Sequence, residues 1–190
     1  MQNNDNLMFK AIYTDRLVLR RLEQSDAKTI FTYRKEPEVI IYQNWEPNSV
    51  AEIQEFINGL SKIGPVEDER WFQIGIILQK TGELIGDCGM FSSNNNTQQV
   101  EIGITVNPIH QKNGYAKEAI KSIINYLFIK LKLHRIYASI DPCNTASIAL
   151  FSSIGFREEA HFKESLWFKD RWVDDIIYAI LDWEWLQSNK

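Results

Sequence analysis

Val100-Glu101-Ile102-Gly103-Ile104-Thr105-Val106, followed past Pro108 by Gln111-Lys112-Asn113-Gly114-Tyr115-Ala116 and a run through Lys121, is the stretch that decides the fold. Val100, Ile102, Ile104 and Val106 alternate with Glu101, Gly103 and Thr105, so the segment reads as a strand with one apolar face. Pro108 ends it. Ala119, Ile120, Ile123, Ile124, Leu127 and Leu131 then recur at helical spacing. A strand, a glycine loop and a helix in that order leave backbone N–H groups unpaired at the helix start. With the positive end of the helix dipole, those donors form an anion site suited to phosphate. Gly114 lets the backbone approach closely, small Ala116 leaves room on the same turn, and Lys112 and Lys117 flank the loop. An ordinary strand–helix turn with solvated lysines has the same local signature. The loop has no GxxxxGK[ST] pattern, and no GxGxxG follows the first strand. A Walker-type site and a dinucleotide fold are therefore unsupported, while a pyrophosphate held by main-chain amides without a metal is compatible.

On the N-terminal side, Thr14 to Leu22 alternates as a half-buried strand. Ser25 offers a cap for a helix from Ala27 to Lys35, and Ser49 to Glu52 matches a capping box before a second amphipathic helix. Trp71 to Leu78 and Leu84 to Phe91 read as strands joined by a turn at Gln79 to Glu83, and Ser92 to Gln98 as a polar loop. On the C-terminal side, His134 to Ile140 is a strand, and Asn144 opens a short helix stopped by Gly155. Phe156 to Phe162 and Val173 to Leu181 are strands around the turn Lys169 to Arg171, the last carrying an aromatic tail, Trp183 and Trp185. Without repeats or a long linker, the expectation is one mixed α/β (α+β) domain over residues 1–190, with 1–8 a loose extension.

The composition agrees with that reading. The 190 residues are 44% hydrophobic and 12% aromatic, enough for a core without cross-links. Lys and Arg number 21 against 25 Asp and Glu, a net charge of −4 that argues against nucleic-acid binding and favours an amine-bearing partner. Cys88, Cys143, His110, His134 and His161 are dispersed and give no metal spacing, so no metal is expected. No apolar run approaches the roughly 20 residues of a membrane span, and there is no leader pattern; the expected setting is the cytoplasm, with no membrane partner. In that setting the sequon Asn95-Asn96-Thr97 has no use.

A second constellation follows the strand ending at Ile140. Asp141-Pro142-Cys143-Asn144-Thr145-Ala146-Ser147 enters a helix that closes with Leu150-Phe151-Ser152-Ser153-Ile154-Gly155-Phe156. Asn144 suits an N-cap with Ser147 on the first turn, which does not exclude a second role. Gln111-x-x-Gly114-Tyr115-Ala116 resembles the Q/R-x-x-G-x-G/A signature of the GCN5-related N-acetyltransferases, and Asn144-x-x-Ser147 with Ile154-Gly155-Phe156 resembles their later segment. Thr14 to Arg20 and Trp172 to Trp185 are similar to the RimJ/RimL-like branch.

The resemblance implies a mostly antiparallel central sheet with splayed middle strands flanked by helices, and acetyl-CoA as co-substrate. It implies that Ile104, Thr105 and Val106 offer main-chain partners to the pantetheine. The loop Gln111, Lys112, Asn113, Gly114, Tyr115 and Ala116, with Lys117, would hold the pyrophosphate. Asn144 would serve the pantetheine arm or the acceptor side, and Ser147 would lie near the sulfur. Many members carry a tyrosine seven positions after the asparagine; here that place is Phe151, which has no proton to give, and Ser147 or water is the substitute.

Glu101 is the candidate base, with Asp87 a second choice; a solvated strand carboxylate is the alternative for Glu101. The acceptor is expected to be a primary amine, either a peptide α-amine or a small amine. Its selection is expected around Trp45-Glu46-Pro47 and Val66 to Trp71, where acidic residues would attract a cation. The competing functions are a catalytically silent CoA-binding module and a plain interaction domain. The aromatic C-terminus suggests a homodimer or, equally, core packing.

Overall fold

The computed structural model describes residues 9–61, 63–66, 69–92 and 98–188. The expected N-terminal extension, the sequon and Glu67-Asp68 lie outside them. Eight strands form one sheet: β1 (Ile12–Tyr13), β2 (Leu17–Arg21), β3 (Phe72–Leu78), β4 (Leu84–Phe91), β5 (Gln99–Val106), β6 (Arg135–Ile140), β7 (Arg157–Phe168) and β8 (Arg171–Leu181). Their spatial order is β1-β2-β3-β4-β5-β6-β8-β7. Every neighbouring pair is antiparallel except β5 and β6. The helices are α1 (Ala27–Arg34), α2 (Pro37–Ile40), α3 (Val50–Leu60), α4 (Tyr115–Asn125), α5 (Thr145–Ile154) and α6 (Asp182–Ser188).

The apolar periodicity assigns each face. Ala119, Ile120, Ile123 and Ile124 form the stripe of α4 and are fully buried, as is Leu127 in the π turn that prolongs the helix. They share a core with Val100 and Ile102 of β5 and with Cys88 and Met90 of β4. Glu101, Gly103 and Thr105 point to the other side of the sheet, beside Asp87, Gly89 and Phe91 across the β4–β5 register.

One break in the sheet positions the site. β5 and β6 pair only at Gln99–Arg135, Val100–Ile136 and Glu101–Tyr137. Beyond Glu101, β5 stays with β4 as far as Val106–Gly86, while β6 stays with β8 as far as Ile140–Ile176. The two middle strands diverge, and their facing backbone edges lose each other as partners.

Several local expectations are corrected. Ser25 does not cap α1; it sits inside a 3₁₀ turn whose Asp26 carboxylate accepts the Glu23 amide at 2.7 Å and binds Arg20 at 2.7 Å. Only half of the capping box forms: Ser49 Oγ accepts the Glu52 amide at 3.1 Å, but the Glu52 carboxylate takes the Asn48 amide at 2.9 Å and Trp45 Nε1 at 3.2 Å. The indole is the competing donor that draws it away. β7 runs on to Phe168, because β8 offers it a long antiparallel partner. Trp183 and Trp185 belong to α6, not to a strand; Trp185 is buried and donates to Asn125 Oδ1 at 2.8 Å, whereas Trp183 is exposed.

Candidate active site

A cleft of about 410 Å³ opens where β5 and β6 part. Its β5 wall is Glu101 to Thr105 and its β6 wall is Ala138 to Asp141, with Asn144, Ser147 and Phe151 of the α5 segment beside them. The opposite side is closed by Arg34 of α1, the segment from Tyr42 to Trp45, and Phe56 of α3. This size suits a small-molecule site. Glu101, Ile104, Thr105, Asn144 and Ser147, read from the sequence as site residues, all line it. Val106 lies at the end of β5, and Gln111 to Lys117 lie beyond the lining.

Glu101 is the last residue of β5 to pair with β6, so it stands at the apex of the opening. Burial raises its carboxyl above the ordinary range and the nearby Asp175 raises it further, while the Tyr137 hydroxyl, as hydrogen-bond partner, works in the opposite sense. Asp175 is itself buried, and its Oδ1 accepts Ser139 Oγ at 2.7 Å. A carboxylate so placed, with its proton affinity raised, has the chemistry of a proton acceptor.

Asp87 does not fit the role of base. It is 1% exposed, its Oδ1 takes Arg34 Nη2 at 2.6 Å, and the Tyr33 hydroxyl and Gln73 amide also donate to it. With its lone pairs committed, it anchors α1 to β4. Arg34 is 4% exposed, donates to Gln43 Oε1 at 3.0 Å and lies 5.0 Å from the Trp45 ring centroid. Its Nε has no hydrogen-bond partner, and the ring offers partial compensation through its π face. Gln43 in turn donates to Thr105 Oγ1 at 3.1 Å. None of Arg34, Gln43, Tyr33 and Gln73 was identified as a site residue in the sequence, because only the tertiary fold brings them to Asp87.

Asn144 caps α5, its Oδ1 accepting the Ser147 amide at 3.1 Å. Phe151 is buried, packs edge-on against Phe156 and lines the cleft. The Tyr42 hydroxyl donates to the Cys143 carbonyl at 3.0 Å and ties the cover segment to this corner.

The glycine loop has an unusual backbone. Lys112 has φ +62° and Gly114 φ +79°, both left-handed. The first intrahelical bond of α4 is Glu118 N–H to Gly114 O at 3.1 Å. The amides of Tyr115, Ala116 and Lys117 precede it and have no helix carbonyl to serve. Arg16, which the sequence hid inside an alternating strand pattern, belongs here too. It donates to Asn113 O at 3.0 Å, pairs with Glu118 at 2.7 Å and lies 4.6 Å from the Tyr115 ring centroid. Burial opposes ionisation of Glu118, but hydrogen bonds from Thr14 and Arg16 outweigh it and hold its carboxyl below the usual range. Among the described residues no cluster of three or more His, Cys, Asp or Glu side chains is placed to hold a metal. No helix among them is long and apolar enough to cross a membrane.

A sheet pried open between two parallel strands, with a helix start beyond the opening, suits an extended, phosphate-bearing ligand laid edge-on against β5. An Acetyltransferase (GNAT) domain model matches residues 16–157. The "uncharacterized N-acetyltransferase p20" of Bacillus licheniformis is 33% identical over 180 residues, covering 93% of this chain and 98% of that one. A GNAT-family acetyltransferase structure from Bacillus anthracis superposes with a TM-score of 0.81 at 28% identity, over 91% of this chain and 99% of that one. The spermidine N-acetyltransferase from Vibrio cholerae, solved in complex with CoA and spermine, gives 0.76 at 26% identity, over 91% and 99%. The chain belongs to the GNAT acetyltransferase family. It is an acetyl-CoA-dependent N-acetyltransferase.

Proposed function

We propose that this chain acetylates a primary amine, with acetyl-CoA in the opening between β5 and β6 and the amine arriving on the face that carries Glu101. The observation that carries the proposal is Glu101 itself, a carboxylate with raised proton affinity at the apex of the cleft. Bound acetyl-CoA supplies the acyl thioester: the amine's N–C bond forms as the C–S bond breaks. Glu101 takes the proton of the incoming ammonium, directly or through water. The main chain of Ile104, Thr105 and Val106, no longer paired with β6, offers donors and acceptors to the pantetheine amides. The amides of Gln111 to Lys117 hold the pyrophosphate, with Lys112, Lys117 and Arg16 adding charge. Asn144 fixes the start of α5, and the Ser147 hydroxyl, or a water beside it, relays to the departing sulfur the second proton that the nitrogen gives up as the amide forms, the role Phe151 lacks the chemistry to fill.

The acceptor class spans peptide α-amines, as in the RimJ/RimL-like resemblance, and small amines. The proposal takes the chain as a single catalytic domain acting in the cytoplasm, where its free cysteines, Cys88 and Cys143, suit a reducing medium. The exposed Trp167–Trp172 pair supports a homodimer, which sedimentation would test.

The decisive assay is thiol release from acetyl-CoA across a panel of amines and peptides. Release with at least one acceptor is expected, whereas CoA binding without turnover on any would favour the silent module. Gly114→Trp should weaken acetyl-CoA binding about tenfold or more in calorimetry. The left-handed φ of +79° strains any side chain there, and the indole occupies the space beside Arg16 that the phosphates need. Unchanged affinity in a folded variant would remove the loop from the site.

A further inference from the structure

The acceptor face can be read side chain by side chain. Along β5, Glu101, Gly103 and Thr105 point the same way, with Glu101 and Thr105 about 13 Å apart. Gly103 lies between them opposite Gly89 of β4. A Cβ built on Gly103 meets nothing within 4 Å, so it opens onto a hollow. A Cβ on Gly89 would come within 2.8 Å of the Trp71 ring, so that glycine lets the indole lie flat against the sheet. Trp71 is 39% exposed and packs on Phe91 at 5.6 Å. From the helical cover come Trp45 and Phe56, with ring centroids 4.7 Å apart. Aromatic rings therefore wall the hollow from both the sheet and the cover.

Three carboxylates, Asp87, Glu101 and Asp141, are among the described residues lining this face. Asp87 is neutralised by Arg34, and Gln43 and Thr105 satisfy each other. Asp141 sits at the β6–α5 corner, where it accepts the Cys143 amide at 2.7 Å. Of the described carboxylates lining this face, Asp87 is paired with Arg34, Asp141 is held at the corner by the Cys143 amide, and Glu101 shares the face of the β5 pleat that opens onto the hollow.

We infer that the acceptor is an amine with one positive charge carried on an aromatic body, its ring held between Trp71 and the Trp45–Phe56 pair and its ammonium directed to Glu101. This rests on the acetyl-transfer function proposed above and narrows its substrate class. A polyamine spreads several positive charges along a flexible chain and needs several spaced carboxylates. A carboxylate standing beside rings, with Asp141 set apart at the corner, suits a compact arylalkyl amine, whose ring gains from aromatic packing and whose charge gains from one ion pair.

The test compares kcat/KM for 2-phenylethylamine, n-butylamine and spermidine with the wild-type chain, and then with Trp71→Ala and Trp71→Phe. The wild type should prefer 2-phenylethylamine to both other amines. Trp71→Ala should reduce the phenylethylamine-to-butylamine ratio by roughly two- to tenfold, and Trp71→Phe should restore most of it. Spermidine outcompeting 2-phenylethylamine, or a ratio unmoved by Trp71→Ala, would overturn the inference and leave the acetyl-transfer proposal standing. Acetylation of none of these amines or of the wider panel would overturn both.

Discussion

Glu101→Gln is expected to lower kcat/KM for amine acetylation by about 10²- to 10⁴-fold, the range general-base removal produces, while acetyl-CoA affinity changes little. The amide keeps the size and the hydrogen-bonding reach of the carboxylate and loses its negative charge, and with it the capacity to take a proton. The pH profile separates this from a structural defect. In the wild type the rate should fall as pH drops through the raised value of Glu101, because the protonated carboxyl accepts nothing from the ammonium. Glutamine should abolish that limb. The effect on stability runs the other way. The folded chain holds the Glu101 proton more tightly than the unfolded chain does, so this residue costs stability once pH exceeds the raised value and costs nothing below its unfolded value. The variant should therefore be at least as stable as the wild type at neutral pH, with activity lost. A full acid limb in Glu101→Gln would assign the base elsewhere.

Arg34→Met is the second large effect, and it acts on the fold. Methionine fills much of the space of the arginine stem but leaves the Asp87 carboxylate 1% exposed, without its cation. Breaking a buried pair on one side costs about 3–5 kcal/mol, which in a chain of this size lowers the melting temperature by on the order of 10 °C. The double variant Arg34→Met/Asp87→Leu should recover part of that loss, since no lone charge is then buried. Recovery stays incomplete, because the Tyr33 hydroxyl and the Gln73 amide lose their acceptor. Chemical denaturation of the three proteins measures this. Equal stability of Arg34→Met and wild type would mean that Asp87 finds another partner or water.

The parts of this site that could be read from the sequence are those whose determinants are local. The β5 alternation, the α4 stripe, Gly114 at a helix start and Asn144 at another follow from the period of the backbone and the chemistry of caps. Asp87, a second choice for the base on sequence grounds, is an anchor in the fold for a physical reason. An acid on a strand looks the same whether it meets solvent or the guanidinium of a helix 53 positions away in sequence, as Arg34 is. Arg16 was missed likewise: its partners Asn113 and Glu118 lie 97 and 102 positions away. The hollow over Gly103 was invisible because it depends on which rings the cover brings down. The sequence puts acceptor selection in the aromatic segments around Trp45 and Trp71; both rings line the cleft, while Glu46 is drawn off to Lys169.

Amide hydrogen exchange with and without CoA asks most directly whether the opened sheet and the bend at its mouth receive the ligand. Slowed exchange is expected for the Ile102 to Val106 amides that face β6 and for those from Lys112 to Lys117. Protection confined to other parts of the chain, with both segments exchanging as fast as in the free protein, would contradict it.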